Sequence, residues 1–73
     1  MQMKIIYCVP CGYITRAKWL KEDLEKNVKD AKVVLEGGEK GIFDVYAGNK
    51  LVFSKYKEGR FPESDEIVKM VKN

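Results

Sequence analysis

Cys8 and Cys11 are the only cysteines of this chain, and two residues separate them. Thiol/disulfide exchange needs a thiolate that attacks a disulfide and a second thiol close enough to release the mixed intermediate. A two-residue spacer on a turn brings the second thiol to that position, and Pro10 restricts the conformations of the turn. The pattern therefore predicts a redox-active cysteine pair that uses no metal and no organic cofactor.

Three other roles for the cysteine pair compete with this prediction. A structural disulfide that closes so short a loop constrains the unfolded chain very little, and cytosolic conditions keep ordinary thiols reduced. A zinc site needs four ligands, but the chain has no His and only two Cys, so zinc would require a symmetric dimer or carboxylates. Two inert buried thiols are the third role, and the position of the pair beside Pro and Gly argues against it.

The pair lies between a predicted strand and a predicted helix. The strand covers residues 4–7, a run of mostly β-branched and aromatic side chains. After the pair, apolar residues recur at steps of three and four, which predicts a helix of about four turns with Thr15 as its N-cap. This apolar stripe consists of Ile14, Ala17, Leu20, Leu24 and Val28. Because a helix N-terminus is electropositive, it favours the thiolate form of the nearer cysteine.

The rest of the chain predicts a small mixed sheet. Further strands are predicted at 33–35, 42–46 and 51–54, loops at 36–41 and 56–60, and a C-terminal helix with Pro62 in its first turn and Lys69 and Lys72 at its end. Gly48-Asn49 predicts a hairpin between the last two strands. The order is β-α-β-β-β-α, with the first two strands parallel because a helix joins them.

The predicted fold class is therefore α/β, in the form of an α+β two-layer sandwich. Both helices are expected to cover one face of a four-stranded mixed sheet, because a chain of this length has nothing left to cover the other. Asp44 and Tyr46 are expected on the uncovered face.

Composition restricts the classes of function. The 73 residues are predicted to form one domain, 1–73, and 45% apolar with 34% charged residues is typical of a folded protein. No apolar run approaches the roughly 20 residues that cross a bilayer, and no secretory signal is recognised, so a cytoplasmic protein without a membrane partner is expected. Positive and negative charges alternate along the chain, which argues against a nucleic-acid partner.

Four segments, taken in order, resemble the selenoprotein W/Rdx family of thioredoxin-like proteins. They are residues 7–13, 16–20, 41–45, and 51–55 with 59–62. The resemblance implies a thioredoxin-like fold and a thiol oxidoreductase role in redox homeostasis. It also implies protein or small-molecule disulfides as exchange partners, with glutathione as a co-substrate. Selenoprotein W members carry selenocysteine where this chain has Cys11, so peroxide-type chemistry is expected to be slower while dithiol exchange is retained.

The candidate site combines the cysteines with residues expected near them. Cys8 and Cys11 are the candidate catalytic residues, and the candidate binding residues are Val9, Pro10, Gly12, Tyr13, Gly41, Ile42 and Phe61. Arg60 is either an anchor for a glutathione carboxylate or a solvated loop arginine. Residues 3–7 contain no carboxylate, so a proton acceptor must come from elsewhere in the chain.

Two questions stay open at the level of the sequence. The selenoprotein W resemblance makes Cys11 the attacking sulfur and is favoured here, whereas the thioredoxin analogy points to Cys8. The alternative function is a redox-responsive interaction module that switches its binding surface without catalytic turnover, and a zinc-bridged dimer is a third reading. The expected oligomeric state is a monomer or a weak dimer.

Overall fold

A computed structural model describes residues 1–72, without the side chain of Lys72, so the expected role of that lysine lies outside the described residues. The elements are β1 (Gln2–Cys8), α1 (Ile14–Asn27), β2 (Lys32–Gly38), β3 (Phe43–Ala47), β4 (Lys50–Ser54), α2 (Lys55–Glu58) and α3 (Ser64–Lys72). The strands form one sheet in the order β2-β1-β3-β4. Strand β1 runs parallel to β2, and β3 runs antiparallel to β1 and β4. The predicted four-stranded mixed sheet is confirmed.

The core lies on one face of this sheet, under α1 and α3. Ala17, Leu20 and Leu24 of α1 are buried, as the apolar stripe predicts. They pack with Ile67 of α3 and with the buried strand residues Met3, Ile5, Val33, Phe43, Val45 and Phe53. Because side chains alternate along a strand, the other face of β1 and β3 carries Lys4, Ile6, Asp44 and Tyr46. Both helices therefore cover one face, as predicted.

Strand β2 lies at one edge of the sheet, and its outer side is partly covered by α1. The Val33 backbone N–H donates a hydrogen bond to Glu25 Oε2 at 3.0 Å. Glu25 belongs to the exposed surface of α1, one residue beyond the buried Leu24. The carboxylate thus pairs a backbone donor that has no neighbouring strand.

The predicted N-cap of α1 is wrong. The helix begins at Ile14 with Tyr13 as its N-cap, so Thr15 lies inside the first turn, and no side chain hydrogen-bonds to the cap. Gly12 adopts φ +73°, which turns the chain into the helix direction two residues earlier than expected. The Tyr13 ring then packs edge-on against Phe61, with ring centroids 4.8 Å apart. Packing therefore replaces side-chain capping at this helix start.

The predicted loop at 36–41 begins too early, because β2 continues to Gly38, which pairs with Cys8. A Cβ atom at Gly38 would overlap Ile6 Cγ2 and lie 2.9 Å from Ile42 Cγ2. Glycine at this position therefore serves the close approach of neighbouring side chains inside a strand, which a sequence pattern does not distinguish from a turn.

The predicted polar loop at 56–60 instead contains one helical turn, α2. Gly59 ends this turn in the left-handed conformation, with φ +72°. The following helix, α3, begins at Ser64, so Pro62 precedes the helix and does not occupy its first turn. Glu66 accepts a hydrogen bond from the Glu63 backbone N–H at 3.1 Å, as in half of a capping box.

Arg60 and Glu66 hold the segment that leads into α3. Arg60 Nη1 donates to Glu66 Oε2 at 2.8 Å, and Nη2 donates to Oε1 at 3.0 Å. The hydrogen bond from Arg60, followed by that from the Glu63 backbone, lowers the pKa of Glu66 to about 2. This bidentate pair fixes the chain on both sides of Phe61.

The close packing at Gly38 predicts the effect of G38A. An added methyl group has to displace the Ile6 and Ile42 side chains, so we expect the free energy of unfolding to fall by about 1–3 kcal/mol in urea denaturation. The I6A variant removes the nearest obstacle, and the double variant G38A/I6A is expected to lose less stability than the sum of the two single variants. Full additivity would contradict this account of the glycine.

The Arg60–Glu66 pair predicts a contribution to acid stability. Because the pKa of Glu66 falls from an ordinary value of 4.5 to about 2 on folding, its contribution is complete above pH 4.5 and is lost as the pH falls toward 2. The urea midpoint of E66Q is expected to fall less steeply with decreasing pH across this range than that of wild type. R60Q removes the charged guanidinium and its bidentate geometry, and it is expected to give the same shallower slope. Equal slopes in wild type and both variants would contradict the prediction.

Candidate redox site

Cys8 and Cys11 form a disulfide, with their Cα atoms 5.4 Å apart. Cys8 is the last residue of β1 and is fully buried, at 0% exposure. Cys11 lies in the turn between β1 and α1 and is exposed. The two cysteines therefore have different environments, and Cys11 is the one that a partner molecule can reach.

The turn that carries the exposed cysteine is short and packed on β2. The Gly12 N–H donates to the Val9 carbonyl oxygen at 3.3 Å, which closes the turn around the exposed Pro10. Val9 is 59% exposed, and its Cγ2 lies 2.8 Å from the position that a Cβ atom of Gly37 would occupy. The absence of a side chain at Gly37 thus lets the turn approach the neighbouring strand.

The connection from β2 to β3, residues 39–42, passes the end of β1. Since β2 and β3 flank β1 and the connection joins their adjacent ends, it must cross the end of β1 where Cys8 lies. Gly41 has φ +82° in this connection, and the Tyr56 hydroxyl donates to the Lys40 carbonyl oxygen at 2.7 Å. The crossing brings Gly41 and Ile42, both candidate binding residues, to the end of the strand that carries Cys8.

Three aromatic rings lie beside the start of α1. Phe61 makes edge-to-face contacts with Tyr13 and with Phe43, at centroid distances of 4.8 and 5.3 Å. The structure therefore brings Phe61 against Tyr13, which lies two residues after Cys11 in the chain. It does not place Val9 in the same cluster, because Val9 packs at β2, and β1 separates β2 from Phe43 on β3.

Two cationic side chains lie next to this aromatic cluster, and neither is among the site residues predicted from the sequence. The Arg16 guanidinium lies 4.2 Å from the Phe61 ring centroid, and Lys55 Nζ lies 5.4 Å from the same centroid. Lys55 begins the helical turn α2, directly before the predicted loop at 56–60, and no periodic pattern in the sequence identifies it. Arg60 is an exposed arginine, as one of the two alternatives expected, and its guanidinium is paired with Glu66, so it is not a vacant carboxylate anchor.

The first turn of α1 is electropositive. It contains no acidic residue and no side-chain cap, and Arg16 lies in it. Backbone N–H groups at such a helix start favour a negative charge nearby. The exposed Cys11 precedes this turn, so the electrostatics there favour its thiolate.

Neither a metal-binding cluster nor a helix that could span a membrane occurs among residues 1–72. No group of three or more Cys, Asp or Glu side chains in this part of the chain is arranged to hold a metal ion. None of its helices is long and apolar enough to cross a membrane. Both sulfurs are used in the disulfide, so any thiolate ligation of a metal would first require reduction.

Solved structures of other proteins have the same fold as this chain. A selenoprotein W-related protein from Vibrio cholerae superposes with a TM-score of 0.87 at 26% identity, covering 97% of this chain and 91% of that one. A protein from Bordetella parapertussis gives a TM-score of 0.88 at 26% identity, covering 97% and 92%. These matches confirm the thioredoxin-like fold expected from the resemblance.

Curated relatives are longer than this chain. Migration and invasion enhancer 1 from Bos taurus is 24% identical over 72 residues, which are 99% of this chain and 63% of that protein. The Mus musculus protein of the same name is 26% identical over 66 residues, which are 90% and 57%. This chain thus spans about three-fifths of their length. The match to the Rdx family covers residues 2–73, including the cysteine turn and the aromatic cluster, and the chain belongs to the Rdx family.

Proposed function

We propose that this protein is a thiol/disulfide oxidoreductase whose redox pair is Cys8 and Cys11. The observation that carries the proposal is the disulfide in which one cysteine is exposed and the other is fully buried. Exchange requires an attacking thiol that partners can reach and a resolving thiol that lies close behind it. Membership of the Rdx family and the short loop, which gives little stability as a structural crosslink, support the same function.

The reaction begins on Cys11. Its thiolate attacks one sulfur of a disulfide RS–SR′, forms a Cys11–SR mixed disulfide and releases R′S⁻. Cys8 then attacks the Cys11 sulfur, which breaks the bond to R, releases RS⁻ and forms the Cys8–Cys11 disulfide. The protein loses two electrons and the partner gains them. Two thiol molecules, such as glutathione, reduce the protein again and leave as their own disulfide.

The assignment of the two roles rests on charge and burial. The electropositive start of α1 favours the charged form of Cys11, whereas complete burial disfavours a lasting charge on Cys8. We propose that the exposed Cys11 meets the partner and Cys8 resolves. The edge-to-face pair of Tyr13 and Phe61 gives the partner an apolar contact beside the turn. Gly41, which lacks a side chain, lets the partner backbone approach.

The proposed partners are small-molecule and protein disulfides in a reducing compartment such as the cytoplasm. The exchange needs no metal and no organic cofactor, because both electrons are held by the cysteine pair. A module that only changes its surface with the state of the pair would also be oxidised and reduced, but it would not turn over a substrate. Turnover therefore separates these two functions.

The proposed function predicts both a reduction potential and catalytic turnover. Equilibration in defined thiol/disulfide buffers, followed by alkylation and intact mass, is expected to show a reversible two-electron transition between roughly −180 and −300 mV. Hydroxyethyl disulfide, which is uncharged, is expected to be reduced catalytically with glutathione as the electron source. If no intramolecular disulfide forms in any buffer, the proposed function is wrong. A reversible transition without turnover would identify a redox-responsive interaction module.

A further prediction distinguishes the roles of the two cysteines. C8S is expected to accumulate a stable mixed disulfide at Cys11 when it is treated with hydroxyethyl disulfide, because the resolving thiol is missing. C11S is expected to react at least tenfold more slowly, because burial limits access to Cys8. Intact mass spectrometry gives both results. Faster adduct formation in C11S than in C8S would reverse the assignment.

A further inference from the structure

Asp44 carries a buried carboxylate oxygen that the exchange reaction above does not use. Its Oδ1 atom is buried and has no hydrogen-bond partner among residues 1–72. Leaving a buried acceptor unpaired typically costs about 1–3 kcal/mol, and more for a charged group. Such a group in a folded protein therefore calls for an explanation beyond packing.

The register of the sheet places this carboxylate on the face that carries Cys8. Asp44 on β3 lies directly opposite Ile6 on β1, and Ile6 and Cys8 point to the same face because they are two residues apart in one strand. Asp44 and Cys8 are therefore diagonal neighbours, a relation that typically separates Cα atoms by about 7–8 Å. A carboxylate with one bridging water spans this separation.

The burial of the two groups agrees with this placement. Cys8 is fully buried, yet it does not belong to the hydrophobic cluster beneath the helices. Ser54, which lies opposite Asp44 on β4, is also buried, at 7% exposure. Asp44 and Cys8 thus share a shielded part of the sheet face that α1 and α3 do not cover.

Other charged or titratable side chains around Asp44 do not offer the same relation to Cys8. Glu36 also lies opposite Ile6, from β2, but it is exposed and its Oε1 lies 3.4 Å from Lys4 Nζ. Tyr46 lies on the same face of β3 but opposite Lys4, so it is farther from Cys8 than Asp44 is. The titratable residues of α2, which packs against β3, are Lys55 beside the aromatic cluster, Tyr56 bonded to the Lys40 carbonyl, and the exposed Lys57 and Glu58.

The resolving step of the proposed exchange requires a proton acceptor near Cys8. When Cys8 attacks the mixed disulfide, its buried thiol must lose a proton, and when the pair is reduced it must regain one. The chain has no His, and solvent has no direct access to a fully buried residue. Glu39, in the connection that crosses the end of β1, is exposed. Asp44 instead has a buried carboxylate oxygen on the face that carries Cys8.

We propose that Asp44 accepts the proton of Cys8 in the resolving step and returns it on reduction; this inference rests on the proposed function. The proton passes from the Cys8 sulfur to the Asp44 carboxylate, directly or through one water. The Cys8 thiolate forms its bond to the Cys11 sulfur, and the bond from Cys11 to the partner sulfur breaks. In reverse, the incoming thiolate bonds to Cys11, and the released Cys8 thiolate takes the proton from Asp44.

The test follows the two phases of the reaction between the reduced protein and 5,5′-dithiobis(2-nitrobenzoate). The first released thionitrobenzoate reports attack by Cys11, and the second reports resolution by Cys8. D44N is expected to slow the second release by about 10- to 100-fold near pH 7. The difference from wild type is expected to shrink at high pH, where hydroxide removes the thiol proton. D44E, which retains a carboxylate, is expected to recover part of the rate.

E36Q is the matched control, because Glu36 lies opposite the same Ile6 but is exposed, and it is expected to stay within twofold of wild type. A D44N rate within twofold of wild type from pH 5 to 9 would overturn the role of Asp44 alone. If wild type itself gives no second release at any pH, the proposed function fails and the role of Asp44 falls with it.

A second measurement does not depend on the folding of D44N. The carboxyl ¹³C shift of Asp44 is followed by NMR against pH in the reduced wild-type protein and in reduced C8S. Ionisation of a close neighbour changes the surroundings of a carboxyl group, so the wild-type curve is expected to differ from that of C8S. Identical curves in the two proteins would overturn the proposal.

Discussion

The central position of β1 in the sheet is the constraint on which the site depends. Because β1 pairs with β2 on one side and β3 on the other, the end of β1 that carries Cys8 lies between the ends of both neighbouring strands. The turn to α1 begins there, and the connection from β2 to β3 crosses the same point. The glycines at 37 and 38 permit this crowding, since side chains from the turn and from the crossing occupy the volume that their Cβ atoms would need.

This crowding makes the two cysteines unequal. One sulfur is held at the end of a central strand and the other lies in an exposed turn before a helix that has no side-chain cap and no first-turn acid. A pair with equal exposure could react from either end, whereas this arrangement would give the proposed exchange a direction. The same inequality creates a chemical demand, because a buried thiol cannot pass its proton straight to solvent.

Much of the fold could be predicted from local pattern, because alternation and helical spacing are properties of neighbouring residues. The stripe of α1 and the hairpin at Gly48 follow from such spacing, and the structure confirms them. The structure differs from the prediction where tertiary contact decides. Gly38 extends β2 by pairing with Cys8, and Ile6 and Ile42 leave no room for a side chain there. The helix α1 begins at Ile14, directly after Tyr13, whose ring meets Phe61. At the site, the cysteine pair is visible in the sequence.

The rest of the site depends on register. Asp44 lies thirty-six positions from Cys8 in the numbering, and only the pairing of β1 with β3 makes them neighbours. The pairing of Arg60 with Glu66 likewise depends on where α3 begins, which the sequence misplaced at Pro62.

The Glu25 carboxylate at β2 has a consequence for the protein in a crowded cell. An edge strand exposes backbone groups that can template the addition of another chain, which is a route to aggregation. At Val33 that backbone donor is already occupied by a side chain of the same molecule. An approaching strand would have to displace this carboxylate before it could pair there, so α1 both buries the core and guards the edge of the sheet against intermolecular β-sheet growth.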